Sequence, residues 1–320
     1  MVSVGYFLSC EEFGPRELVE QARKAEAAGF DRLWISDHFH PWIEEQGQSP
    51  FVWSVIGALS EVTSLPITTA VTCPLIRTHP VVVAQAAATA AVQCRGGFTL
   101  GVGTGEALNE HVTGEQWPPP PVRLEMLEEA IEIIRALHSG EVVSHRGTHY
   151  TVDHARVYTL PERPVPIFVS GFGPAATKLA ARAGDGFCTV SPDAELVDLY
   201  RREGGGGRLV QGGMKVCWAD SEAAGVRTAH QRWRNELLPG KLPSTLPNPA
   251  DFTAAAELVT EEMVRDQFAC GPDPQAHLDK VQAFVDAGFD EVYVQQIGPD
   301  QDAFFDGWKA DVLPRLSRGA

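Results

Sequence analysis

The stretch "SDHFHPW", residues 36–42, places an acid, two histidines, a phenylalanine, a proline and a tryptophan directly after the apolar run "RLWI". Three chemistries fit: a His-x-His metal site, a proton-transfer site, or a polar turn without chemistry. Paired histidine ligands at one strand end would need more His, Asp or Glu from elsewhere. The later strand ends offer Glu106 and then mostly serine, threonine and glycine, so the metal reading is ligand-poor. Histidine is the side chain whose ordinary pKa lies near neutrality, which suits His38 to move a proton. His40, His79, His111 and His138 read as hydrogen-bonded or solvated residues.

Two further clusters carry a different signal. "SGFGPAA" (170–176) is a glycine turn opening a helix with Pro174 in its first turn. Backbone N–H groups at such a start can hold a phosphate. "GVGTGEALNE" (101–110) repeats the theme and adds Thr104, Gly105, Glu106 and Asn109. Together they point to a phosphate-bearing cofactor. Ser9, Cys10, Glu11 and Glu12 follow the first apolar run, and Cys73, Pro74, Arg77 and His79 follow the third.

The elements that must position these groups are eight apolar runs: 2–8, 32–36, 66–73, 97–105, 165–171, 185–191, 212–219 and 291–298. Amphipathic patterns such as 80–94, 123–140 and 174–184 separate them. Strands alternating with helices over this length predict one α/β domain over 1–320, a closed parallel (β/α)8 barrel with two insertions. An open doubly wound sheet is the alternative, but its phosphate fingerprint is missing after the first strand. Residues 18–36 and 277–295 resemble each other, each a helix, then "AGFD", then a strand, with Gly29 and Gly288 suited to end the helices. The insertion 141–159 reads as a β-hairpin turning at "RGTH". The insertion 237–252 is proline-rich and reads as an irregular lid over the barrel mouth. In such barrels chemistry sits at the C-terminal strand ends, where the clusters above fall.

Of the 320 residues, 44% are hydrophobic and 21% charged, and the formal charge is −16. That charge argues against a nucleic-acid partner or an anionic membrane surface. No apolar run reaches the roughly 18 residues that span a bilayer, and a cytoplasmic location is expected. The cysteines at 10, 73, 94, 188, 217 and 270 form no CxxC pair and read as reduced thiols.

"SDHFHPW" followed by "GVGTGEALNEHVTGEQWP" resembles the F420-dependent glucose-6-phosphate dehydrogenase-related branch of the luciferase-like monooxygenase superfamily. The resemblance runs from "EEFGPRELV" through "GDGF" to "VLPRL". It implies the (β/α)8 barrel, a homodimer, a small-molecule substrate and the deazaflavin coenzyme F420. It implies that Asp37 contacts the cofactor, that His38 is catalytic, and that Glu106 is the carboxylate near the deazaflavin ring. Trp42, beside the chemistry, lines the substrate side with Glu11 and Val190. Ala70 and Val71 fall where the family carries a non-prolyl cis peptide behind the ring. Cys73, Thr104, Gly105, Asn109, Phe172, Gly173, Ala175 and Ala176 match cofactor-contacting positions, though Cys73 and Phe172 replace small or hydroxyl residues.

The substrate is where this chain departs from that branch. The sugar-phosphate enzymes hold their phosphate with two lysines and an arginine. Here the first lysine's segment, 188–195, has no base. The second position matches a proline within 240–249, with Lys241 nearby, and the arginine matches Gln267, two residues from Arg265. A neutral alcohol, lactol or enone is therefore expected in place of glucose 6-phosphate. The resulting expectation is an F420-dependent oxidoreductase in which His38 takes a hydroxyl proton as hydride leaves. The alternatives are an FMN-dependent monooxygenase-like flavoenzyme on the same barrel and a non-catalytic flavin-binding protein.

Overall fold

The structure, a computed structural model, describes residues 2–316. Eleven strands occur in chain order: β1 Ser3–Leu8, β2 Arg32–Ile35, β3 Ile67–Thr69, β4 Phe98–Val102, β5 Val143–Arg146, β6 Thr151–Ala155, β7 Ile167–Ser170, β8 Gly186–Thr189, β9 Val210–Cys217, β10 Ala269–Cys270 and β11 Glu291–Gln296. Eight of them pair in parallel in the order β1-β2-β3-β4-β7-β8-β9-β11, and β11 returns to β1, so the sheet closes into the expected barrel. The two-residue β10 extends the sheet beside the end of β9.

The runs form strands because both their faces are covered, outward by helices and inward by the barrel's own filling. Parallel sheets of this kind read as continuous apolar segments. The interior layer is Phe7, Trp34, Phe168, Cys188 and Tyr293. Trp34 and Tyr293 stack with ring centroids 4.4 Å apart, and Phe7 meets Trp34 edge-on at 5.5 Å. Trp34 fits because position 213 is glycine, where a Cβ would fall 2.6 Å from the indole.

Below that layer, Gln211 accepts from Trp34 Nε1 at 3.1 Å and donates to Glu291 at 2.6 Å, while Arg32 pairs with Glu291 at 3.0 Å. Every polar side chain of this floor is partnered. Gly29 (φ 100°) and Gly288 (φ 89°) take the left-handed backbone at the two matching helix ends. All six cysteines are free and buried.

The first insertion is the antiparallel hairpin β5–β6. Its turn is pinned by Glu129, whose carboxylate accepts the amide N–H groups of Thr148, His149 and Tyr150 at 3.1, 3.0 and 2.9 Å. The second insertion is more ordered than its proline content predicts. Residues Leu242–Thr245 and Pro249–Ala256 are helical, because Pro243 and Pro249 sit in their first turns and Asn248 caps the second helix by accepting from Asp251 N at 2.9 Å. No helix among the described residues is long and apolar enough to cross a membrane.

Candidate active site

One cavity of about 830 Å³ opens at the C-terminal end of the barrel. Thirteen of the residues singled out by sequence line it: Glu11, His38 and Trp42 on one side; Ala70, Val71, Thr104, Gly105 and Glu106 behind; Phe172, Gly173, Ala175, Ala176 and Val190 opposite. Asp37, Cys73 and Asn109 are buried but do not line it.

His38 is the best-connected of the lining side chains. Its Nε2 lies 3.3 Å from Glu11 Oε1 and its ring centroid 4.8 Å from that of Trp42. Its Nδ1 faces Asn109 Nδ2 and the carbonyl of His40, both at 3.1 Å. The other Glu11 oxygen accepts from the hydroxyls of Ser9 at 2.9 Å and Ser36 at 2.6 Å. Burial pushes the Glu11 carboxyl up, but the His38 ring and the two hydroxyls outweigh it and hold the carboxyl below its ordinary range. His40 turns elsewhere: its Nδ1 meets the Leu108 carbonyl at 2.9 Å. The two histidines of the motif therefore do not share a direction, as an extended chain would have given them.

Asp37 is held from behind. Arg77 Nη2 donates to its Oδ1 at 2.9 Å and Thr72 donates to its Oδ2 at 2.8 Å. Arg77 also binds Glu110 through its backbone N–H at 2.9 Å. Burial pulls the Arg77 guanidinium down, but Asp37 and Glu110 more than compensate and raise it, so the cation is secure. Burial pushes the Cys73 and Cys10 thiols far up, which makes both inert fillers rather than nucleophiles.

The wall behind the cavity carries the cis peptide Ala70–Val71. It packs tightly against Gly103, where a Cβ would fall 2.7 Å from Val71 Cγ2. Opposite, Gly173 precedes the helix Pro174–Ala183, whose first closed bond runs from Thr177 N–H to the Gly173 carbonyl at 3.1 Å. The amides of Ala175 and Ala176 come before that bond and are free for a ligand. Arg123, stacked 4.3 Å over Trp117, lines the same cavity. A cation, two free amides and open space at Gly173 fit an anionic group, and the flat wall at residues 70–71 fits a planar ring.

Several lining residues went unforeseen. Lys215, in the middle of β9, pairs with Glu236 and sits 4.4 Å over the Trp233 ring. Asn235, Thr189 and Gln295 are buried on the wall, and Asn235 Oδ1, Thr189 Oγ1 and both amide atoms of Gln295 lack a protein partner. The available signal was a lysine and a glutamine inside apolar barrel runs, where every side chain must face filling or chemistry. Lys241 and Gln267 do line the cavity, whereas Arg265 pairs with Glu222 at 3.2 Å and does not.

A model of the luciferase-like monooxygenase family matches residues 2–291. The chain belongs to that family. It is 36% identical to an F420-dependent glucose-6-phosphate dehydrogenase of Microbacterium testaceum over 98% of this chain and 97% of that one. It is 35% identical to a protein of the same name from Amycolatopsis mediterranei over 99% of both chains. Among solved structures, an F420-dependent secondary alcohol dehydrogenase in complex with an F420–acetone adduct matches with a TM-score of 0.91 and 29% identity, covering 97% of this chain and 98% of that one. The F420-dependent tetrahydromethanopterin reductase of Methanopyrus kandleri, at 20% identity and a TM-score of 0.73, shares the luciferase-like barrel.

Proposed function

We propose that this protein is an F420-dependent oxidoreductase acting on a neutral alcohol or lactol, or in reverse on the matching carbonyl or enone. The observation that carries it is the convergence of Glu11, His38, Trp42 and Glu106 on a cavity whose far end offers Arg123 and the first-turn amides of Ala175 and Ala176. The relatives named for F420 support the cofactor. Ala70, Val71 and Gly103 would back its ring; Gly173, Ala175, Ala176 and Arg123 would meet its anionic tail.

Bound F420 supplies the hydride acceptor. The protein supplies the rest. Trp42 and the wall below it exclude water and orient the carbinol carbon. The His38–Glu11 pair handles the hydroxyl proton, while Glu106, whose Oε2 accepts from Asn109 Nδ2 at 3.4 Å, would exchange the proton on the ring side.

The charges on this wall favour a neutral substrate. Lys215 is compensated by Glu236, Arg265 is engaged with Glu222, and residue 267 is a neutral glutamine. A phosphate dianion would meet Lys241 as its one unpaired lysine on that wall. The adduct reported for the secondary alcohol dehydrogenase supports a small neutral substrate. Glucose 6-phosphate is the second reading, favoured by two lysines on the cavity and by the names of the curated relatives.

Fluorescence titration tests the cofactor: F420 should bind at least tenfold tighter than FMN, about 1.4 kcal/mol. Tighter FMN binding sinks the assignment. Steady-state rates on secondary alcohols and on glucose 6-phosphate then separate the two substrate readings. The neutral class should lead by about a hundredfold in kcat/KM, since absent phosphate contacts cannot orient the reacting carbon.

A further inference from the structure

Asn109 is buried behind the cavity wall, and its amide can adopt one orientation. Its Oδ1 accepts the backbone N–H groups of Phe39 at 2.9 Å and His40 at 3.2 Å. The reverse orientation would press an NH2 group against two N–H donors. Its Nδ2, which can only donate, therefore faces His38 Nδ1 at 3.1 Å. At the other end of the ring, His38 Nε2 faces the buried Glu11 Oε1 at 3.3 Å.

A neutral imidazole carries one N–H. With that proton on Nε2, the ring donates to Glu11 and accepts from Asn109, and both contacts are satisfied. With the proton on Nδ1, an N–H faces an N–H and a lone pair faces a carboxylate. The His40 carbonyl, 3.1 Å from Nδ1, could serve that form alone, and it serves the doubly protonated ring equally well. The three neighbours thus admit the Nε2–H form and the imidazolium. They reject the tautomer that would leave Nε2 free as a base.

We infer that Asn109 is a positioning residue that keeps the proton of neutral His38 on Nε2, so that Glu11 takes the substrate's hydroxyl proton and His38 donates to the oxygen. This rests on the alcohol-oxidising reading above. In the step, the alcohol O–H bond breaks and its proton passes to Glu11 Oε1. The carbinol C–H bond breaks with both electrons leaving as hydride to the deazaflavin acceptor. The C=O bond forms, and the Nε2–H steadies the negative charge that develops on its oxygen. Burial opposes ionisation of Glu11, but the His38 ring, Ser36 and Ser9 hold its carboxyl below the ordinary range, so it stands as the carboxylate that can accept the proton.

The test begins with protein labelled with 15N in histidine, observed by NMR without cofactor. His38 should show a protonated Nε2 and an unprotonated Nδ1 in its neutral form. Asn109→Asp keeps an acceptor for Phe39 and His40 but turns an oxygen toward Nδ1. It should protonate Nδ1 and lower kcat at least about tenfold, with F420 affinity changed less than about threefold. His38→Gln retains a donor that cannot take a proton, and should keep kcat within about tenfold, whereas Glu11→Gln should lose at least about a hundredfold. A neutral ring protonated on Nδ1 would overturn the inference. So would a His38→Gln enzyme as inactive as His38→Ala beside an active Glu11→Gln. Because the NMR arm needs no cofactor, a protein that turns over no alcohol with F420 while showing the Nε2–H ring counts against the functional reading alone.

Discussion

Gln211 and Gln295 are the same residue type on adjacent barrel strands, 2% and 1% exposed, and they live in opposite circumstances. Gln211, in the floor, bonds Trp34, Glu291 and Tyr293. Gln295, four residues on from Glu291 toward the mouth, has no protein partner for either amide atom. A buried amide without a partner costs about 1–3 kcal/mol, so a fold selected for stability alone would not keep one. The floor is built to hold; the mouth is built to be completed by something else.

The largest expected effects separate these two purposes. His38→Ala should cut kcat about 10²–10³-fold while the unfolding midpoint moves little, since the ring supports a reacting oxygen rather than the core. Measuring kcat beside the melting curve checks it; a large melting shift with an intact rate would erase the distinction. Asp37→Ala should do the opposite. It leaves Thr72 without its acceptor and Arg77 with Glu110 as its remaining carboxylate, which should cost about 1–3 kcal/mol, read from denaturant unfolding. An unchanged midpoint would return Asp37 to a purely cofactor-binding role.

Next comes Glu12, at the mouth end of β1 beside Glu11, which accepts from Trp233 Nε1 and Gly298 N–H, each at 2.8 Å. Burial raises its carboxyl to about 7 despite those donors. The folded state therefore holds this proton more tightly than the unfolded chain does. Its stabilisation is complete below the ordinary carboxyl pKa near 4.5 and is lost as pH rises through about 7. Stability should fall by at most about 3 kcal/mol across that window, and Glu12→Gln should flatten the slope. Melting curves at several pH values decide it. The smallest effect is the most direct. Gln211→Leu should destabilise by about 1–3 kcal/mol, whereas Gln295→Leu should leave stability equal or higher and raise KM. Equal losses at both positions would remove the contrast.

The barrel was legible because each strand is buried on two faces, which writes it as a continuous apolar run. The hairpin was legible from alternation. The lid's helices were not, since the proline-rich stretch reads as irregular, whereas Pro243 and Pro249 each sit in a first turn, where the missing N–H does no harm. The place of His38, Glu106 and the glycine turn on the cavity wall was legible because strand ends of such a barrel face its mouth. The Arg77–Asp37–Glu110 link and the Lys215–Glu236 pair were not. Each joins segments far apart in sequence, and no local pattern records which cation meets which acid. Asn109 shows the limit best: its position was marked, yet its role depends on which way one amide is turned.

The lid over residues 237–252 bonds largely to itself. Ser244 and Thr245 hydroxyls return to the Lys241 carbonyl at 3.0 Å, Asn248 closes on Asp251, and one tie, Trp117 Nε1 to the Ser244 carbonyl at 3.2 Å, reaches the loop after β4. Gly240, Lys241, Pro243 and Ser244 nonetheless form part of the cavity wall. The roof is not independent of what lies beneath: Phe252 meets the Trp42 ring edge-on at 5.2 Å, and Trp42 lies 4.8 Å from His38, so a change of roof would be felt at the residues under it.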